Sequence, residues 1–225
     1  MYSPHKLDNP VWYSLAESHK KLAITYNKTH FYNPEYCAFG AFNAVANDPQ
    51  DLVLYAKTVP SFFIFGAKPI LPESLYVKDE LLCYQMTVQQ PIVISYFDEI
   101  IKLNQSHRPE LLALVKIVYP EYFKSKTADL GNYYGIFKDH QLVAITGERM
   151  QMDDFIEVSA VITHPLHTGK GYAKQLVAHT ANAILKQNKT PFLHVATANN
   201  SAIKLYEKLG FSTRTTISIW QIAEK

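Results

Sequence analysis

Residues 155–187 read FIEVSAVITHPLHTGKGYAKQLVAHTANAILKQ, and the order of strand, glycine loop and helix within them sets the architecture. Phe155 to Thr163 is rich in β-branched residues and alternates at the period of a strand. From Gly171 to Gln187, the residues Ala173, Leu176, Val177, Thr180, Ala181, Ile184 and Leu185 share one face at the 3.6-residue period of a buried helix. Between them, His164-Pro165-Leu166-His167-Thr168-Gly169-Lys170-Gly171-Tyr172-Ala173 enters the helix through two glycines. The first N–H groups of a helix have no partner inside it, and the positive end of the macrodipole lies behind them, so such a loop is an anion site. Glycine at 169 and 171 removes Cβ atoms that would hold a pyrophosphate off the backbone. Taken alone, the loop reads equally well as a plain turn.

Two other phosphate-binding designs are excluded. A dinucleotide fingerprint needs a small residue where Lys174 stands and an acidic residue about twenty positions on, where the chain has Lys189, Thr190 and Pro191. The Gly-Lys-Ser/Thr of a nucleoside-triphosphate loop is absent.

Working outward, Tyr133 to Phe137, the turn Lys138-Asp139-His140, Gln141 to Arg149, and Phe155 to Thr163 predict a three-stranded antiparallel meander. Downstream come a strand from Phe192 to Ala196, a helix from Ser201 to Leu209 closed by Gly210, and a strand from Ser212 to Trp220. Little sequence remains after Trp220 to supply another strand. Upstream, Arg108-Pro109 opens an amphipathic helix with Leu111, Leu112, Val115 and Val118 on one face. The first 106 residues are richer in aromatics and proline. Asn9-Pro10 predicts a capped helix through Lys21, Asp48-Pro49 another through Lys57, and Ser61 to Gly66 and Leu81 to Val88 read as strands.

The loop Thr168-Gly169-Lys170-Gly171-Tyr172-Ala173 resembles the Gln/Arg-x-x-Gly-x-Gly/Ala signature of the GNAT superfamily, with Thr168 in place of the first Gln or Arg. The segment Asn199-Asn200-Ser201-Ala202-Ile203-Lys204-Leu205-Tyr206, followed by Gly210-Phe211, is similar to that family's Asn-x-x-Ala-x-x-x-Tyr segment. Both motifs lie in the right order over roughly the last half of the chain. The resemblance implies an α/β (α+β) fold with a mostly antiparallel mixed sheet flanked by helices in a GNAT domain at 107–225. A smaller N-terminal α/β domain would occupy 1–106, as a degenerate copy of the fold or a lid on the acceptor side.

The same resemblance implies an acyl-CoA-dependent N-acetyltransferase with acetyl-CoA as co-substrate and a small-molecule or peptide amine as acceptor. It assigns cofactor contacts to Val161, Ile162, Thr163, Thr168, Gly169, Lys170, Gly171, Tyr172, Ala173, Asn199 and Ala202. Tyr206 matches the tyrosine that protonates the departing thiolate, although Ala202, Leu205, Tyr206 and Leu209 also form a core stripe. Glu157 stands where several members carry a general base. Strand alternation sets it with Ser159, Val161 and Thr163, opposite Ile156, Val158, Ala160 and Ile162, and the plain alternative is a solvated carboxylate. A base is useful because a lysine-like amine is neutral in only about one molecule in 2,500 at pH 7. Tyr133, Tyr134, Glu148 and Arg149 would border the acceptor channel. The rival from another class is a catalytically silent acyl-CoA sensor or interaction module.

Composition agrees with a globular protein. The 225 residues are 48% hydrophobic and 19% charged, and 22 basic against 20 acidic residues give +2 without a basic tract, which argues against nucleic acid. No apolar run is long enough for a bilayer and MYSPHKLDNP lacks a leader's apolar core, so a cytoplasmic protein is expected. Cys37 and Cys83 read as packed thiols, and His164, His167 and His194 lack the company of a metal site. Nothing in the chain fixes an oligomeric state.

Overall fold

The computed structural model describes residues 5–43, 47–119 and 123–225; residues 1–4, the start of the segment read for a leader, lie outside them. The N-terminal half runs α1 (Pro10–Ala16), β1 (Ala23–Thr25), β2 (Thr29–Tyr32), β3 (Phe39–Phe42), α2 (Pro49–Ala56), β4 (Ser61–Phe65) and β5 (Leu75–Thr87). After the short β6 (Ile101–Lys102) come α3 (Arg108–Val118), β7 (Tyr133–Lys138), β8 (Gln141–Gln151), β9 (Phe155–Thr163), α4 (Tyr172–Leu185), β10 (Thr190–Ala196), α5 (Asn200–Lys208) and β11 (Ser212–Glu224).

Local signals set most of these limits. Asp48 caps α2, its Oδ1 accepting from Gln50 N at 3.0 Å, with Pro49 in the first turn. Asn9 does not cap α1; its Nδ2 donates to Phe42 O instead, at 2.9 Å. That helix stops at Ala16, short of Lys21, where the chain turns to bring His19 inside. On α3 the buried face is Leu111, Leu114 and Val115, so Leu112 and Val118 flank the contact rather than centre it.

Among the described residues, eleven strands form one sheet in the order β1-β2-β3-β4-β11-β5-β10-β9-β8-β7-β6. The meander β7-β8-β9 is antiparallel, while β3 with β4 and β9 with β10 are parallel. β5 is inserted between β10 and β11, antiparallel to both, and pairs with β11 from Ser212 opposite Thr87 to Glu224 opposite Leu75, with register shifts between Thr213 and Thr215 and between Gln221 and Ile222. β11 in turn pairs with β4. The strand that the C-terminal sequence lacks is thus supplied from residues 75–87, and the two halves interleave. Helix α4 and residues of α5 cover one face, where Val177, Ala178 and Ala181 meet Ile156, Val158, Leu193 and Val195. Leu7, Val11 and Leu15 pack with Phe39, Phe65, Met150 and Phe192, and α3 packs with Ile145 and Ile162.

Two irregularities in β9 shape the centre of the sheet. Ala160 has φ of 50°, and the β8 register slips there, with Gly147 opposite Ser159 but Ile145 opposite Ile162. This bulge reverses the side-chain parity of the strand. Val161 therefore packs with Ile156 and Val158 on the α4 side, while Ala160 and Ile162 join the cluster under α3, which corrects the uninterrupted alternation expected from sequence. In addition, β9 pairs with β10 only from Phe155 opposite Thr190 to Glu157 opposite Phe192. Beyond that rung β9 stays with β8 and β10 stays with β5, so the two strands part as a V.

Candidate active site

The V opens toward the glycine loop. His164 Nδ1 accepts from Leu166 N at 3.2 Å and fixes the turn 165–167, and Thr168 Oγ1 donates to Pro165 O at 3.2 Å. Gly169 and Gly171 have φ of 75° and 79°, left-handed values that a side chain resists. A Cβ at either position would meet nothing within 4 Å, so conformation rather than crowding requires glycine here. Among the described residues, the N–H groups of 169 to 174 have no acceptor, and Gln175 N is the first to close a helical bond, to Gly171 O. These donors at the start of α4 fit a pyrophosphate. Lys170 is exposed beside them, whereas the Tyr172 ring is buried with Tyr134, Ile136 and Leu176 and leaves only its backbone to the loop.

At the side of the V, Asn199 caps α5, its Oδ1 accepting from Ala202 N at 3.1 Å. Tyr206 is buried with Val158, Val195 and Phe211, and Val161 and Ala202 pack against the same cluster. Burial pushes its phenol up to about 12, so it is a proton-bearing donor throughout the neutral range.

Glu157 lies at the closed end of the V, on the opposite face. It is fully buried. Arg149 Nε and Nη2 donate to its two oxygens at 2.6 and 2.7 Å, and His194 Nδ1 lies 2.8 Å from Oε1. Burial alone would raise this carboxyl, but the charge and forked bonds of Arg149, with the bond from His194, outweigh it and hold the group at about 2. The next link fixes the histidine tautomer. Gln85 Oε1 accepts from Arg214 Nε at 2.6 Å and its Nε2 donates to Leu7 O at 2.8 Å, so Nε2 also donates, over 3.1 Å, to His194 Nε2. The ring proton then sits on Nδ1 and points at Glu157.

Three further observations bear on which kind of protein this is. The family model described as FR47-like protein matches residues 133–220. A GNAT-family structure from Novosphingobium aromaticivorans is 29% identical, covers 99% of this chain and 100% of its own, and superposes with a TM-score of 0.87. GCN5-related N-acetyltransferase structures from Streptococcus suis and Kribbella flavida share the fold at 14% and 12% identity, with TM-scores of 0.63 and 0.60; they cover 96% and 90% of this chain and 92% and 88% of theirs. No curated protein matches.

The fold is that of the GNAT superfamily.

The GNAT fold supports acyl transfer from acyl-CoA. Of the residues expected from sequence, the loop 168–173, Val161, Thr163, Asn199, Ala202 and Tyr206 gather around the V and its mouth, while the Ile162 side chain turns away beneath α3. Glu157 is neither a solvated carboxylate nor a free base, because both oxygens are committed to Arg149 and His194. The sequence pattern does not mark His194 or Gln85 as partners in the Glu157 network. Their signal was a polar residue recurring inside otherwise apolar strands, which burial tolerates only when partners are found. Tyr133 is core, its ring occupying the space that a Cβ on Gly147 would enter at 2.3 Å. Glu148 is consumed by Asn132, accepting from its N at 3.0 Å and its Nδ2 at 2.9 Å. A cavity of about 390 Å³ lined by Thr87 to Pro91, Leu209, Gly210 and Ser212 lies where β5 and β11 begin their pairing, away from the loop and without a titratable lining residue. Among the described residues, no helix is long and apolar enough to cross a membrane, and no cluster of metal-ligating groups occurs.

Proposed function

We propose that this protein is an N-acyltransferase that moves an acetyl group from acetyl-CoA to a primary amine by direct attack. The observation that carries the proposal is the pairing of a strand gap with a row of unbonded N–H groups at the head of α4. The backbone of 169 to 174 would hold the pyrophosphate, the edges of Val161 and Thr163 would receive the pantetheine amides, and Asn199 with Ala202 would flank the arm. Acetyl-CoA, when bound, supplies the thioester. The amine nitrogen attacks its carbonyl carbon, the C–N bond forms as C–S breaks, Tyr206 donates its proton toward the leaving sulfur, and the nitrogen sheds its surplus proton to solvent water. Glu157 takes no part in that proton traffic, since a carboxylate held near pH 2 is a poor acceptor. Its role is to hold Arg149. The reaction takes place in the cytoplasm, and residues 1–106, besides supplying β5 to the sheet, cover the acceptor side.

The test combines binding and turnover. Acetyl-CoA at about 100 times its dissociation constant adds roughly 2.7 kcal/mol to stability, and a panel of amines, amino acids, polyamines and peptides releases free thiol above background. Binding without thiol release from any acceptor would make the protein a sensor. Tyr206→Phe is expected to lower kcat by about 10²–10⁴-fold with cofactor affinity nearly unchanged, and wild-type turnover in that variant removes Tyr206 from the chemistry.

A further inference from the structure

We propose that the acceptor carries a carboxylate, and that Arg149 recognises it; the inference names the substrate class within the acyl-transfer reading and rests on it. Arg149 belongs to β8 beside the closed end of the V, on the face opposite Tyr206 and α4, the face left to an acceptor if a thioester lies in the gap with Tyr206 on its other side. Its guanidinium is held in place rather than free to swing. Nε and Nη2 grip Glu157, the plane lies 4.9 Å from the centre of the Phe39 ring, and His194, Gln85 and Arg214 brace Glu157 from behind. Holding a guanidinium in a single pose is the condition for bidentate recognition.

The grip uses two of five N–H groups. Nη1 and the outer N–H of Nη2 have no partner among the described residues, and the side chain remains 22% exposed. Those remaining donors form a second fork, at the end of the group rather than its side, with the spacing of a carboxylate's two oxygens. The other titratable groups whose fields reach Arg149 include Glu157, Cys37, Tyr133, Tyr32 and Cys83; burial pushes Cys37 up to about 12, Cys83 up to about 11, and both tyrosines above their ordinary value, so of these Glu157 alone is anionic at neutral pH. Among the described residues Glu157 is the one carboxylate whose field is felt by Arg149, and it is already gripped, so a cationic polyamine gains little there, whereas an α-amino acid presents an anion to the open fork and an amine to the gap.

The experiment compares free amino acids with their carboxamides in the acetyl-CoA thiol-release assay, using the full chain. The acids are expected to exceed the amides in kcat/KM by about 10–100-fold, the worth of a charge-assisted hydrogen-bonded pair. Arg149→Lys, which keeps the countercharge for Glu157 and loses the fork, is expected to erase most of that preference while remaining folded by circular dichroism. Equal rates for acids and amides, or turnover of amides and polyamines without acids, would overturn the carboxylate assignment and leave acyl transfer standing. Failure of acetyl-CoA both to stabilise the protein and to release thiol with any amine overturns acyl transfer, and the carboxylate assignment with it.

Discussion

A buried carboxylate between an arginine and a histidine makes Glu157 a residue of structural consequence. Its folded value of about 2 lies below the ordinary 4.5, so the folded state holds the proton less tightly than the unfolded one. The resulting stability is complete above pH 4.5 and is lost as pH falls toward 2. Replacing one member of a buried pair strands the other charge, and Glu157→Gln is expected to cost about 3–5 kcal/mol. Urea unfolding at pH 7 reads this directly, and the gap from the wild type should narrow as the buffer is taken from pH 4.5 toward 2. A loss under about 1 kcal/mol, the ordinary worth of an exposed pair, would mean that Arg149 finds other partners readily. Glu157 could be picked out from sequence as an acidic residue in a strand just before the glycine loop. Its partners could not, because Arg149 lies 8 positions away and His194 lies 37 away.

The glycine loop is the element at which sequence and structure agree most closely. The start of β9, the turn and the start of α4 are set by residues within a few positions of each other: a β-branched run, Pro165, two glycines and a helical stripe. Gly171 is the N-cap in a left-handed conformation, and an alanine there suffers strain of about 1–2 kcal/mol. In the free chain the loop relaxes away from that strain, and ligand binding must restore it. Gly171→Ala is therefore expected to weaken coenzyme A binding by about 5–30-fold, since each 1.4 kcal/mol is tenfold. Titration calorimetry with coenzyme A checks this, and an unchanged dissociation constant would separate Gly171 from the cradle. The bulge at Ala160 is the element-level feature that local pattern did not announce, because alternation of small and β-branched residues is compatible with either parity.

At the scale of the whole molecule, the N-terminal segment is tied to the C-terminal half through buried polar contacts. His19 Nε2 donates to Leu130 O at 3.0 Å, its Nδ1 sits 2.9 Å from the Tyr32 hydroxyl, and Ser14 Oγ accepts from Gln151 N at 3.0 Å. Burial lowers His19 to about 4, with a further push from Lys189 partly offset by the Leu130 carbonyl. The unfolded chain takes up this proton near pH 6.5 while the folded chain refuses it, so the contribution is full above pH 6.5 and lost as pH falls toward 4. Thermal unfolding should show the advantage of the wild type over His19→Gln shrinking across that window; a constant difference from pH 7 to pH 4 would assign the stability to packing instead.

The local grammar of the C-terminal half was legible in the amino-acid sequence without coordinates: the meander, the strand, glycine loop and helix, the capped helix bearing Tyr206, and the GNAT resemblance that these carry. Each depends on hydrophobic period, glycine conformation and capping, which act over a few residues. Tertiary contacts were needed to establish that β5 from the first half completes the sheet of the second, that a bulge turns Val161 rather than Ile162 toward α4, and that Glu157 is committed to Arg149 and His194. Those outcomes depend on which distant strands become neighbours, and a buried charge takes its properties from its neighbours in space rather than from those in sequence.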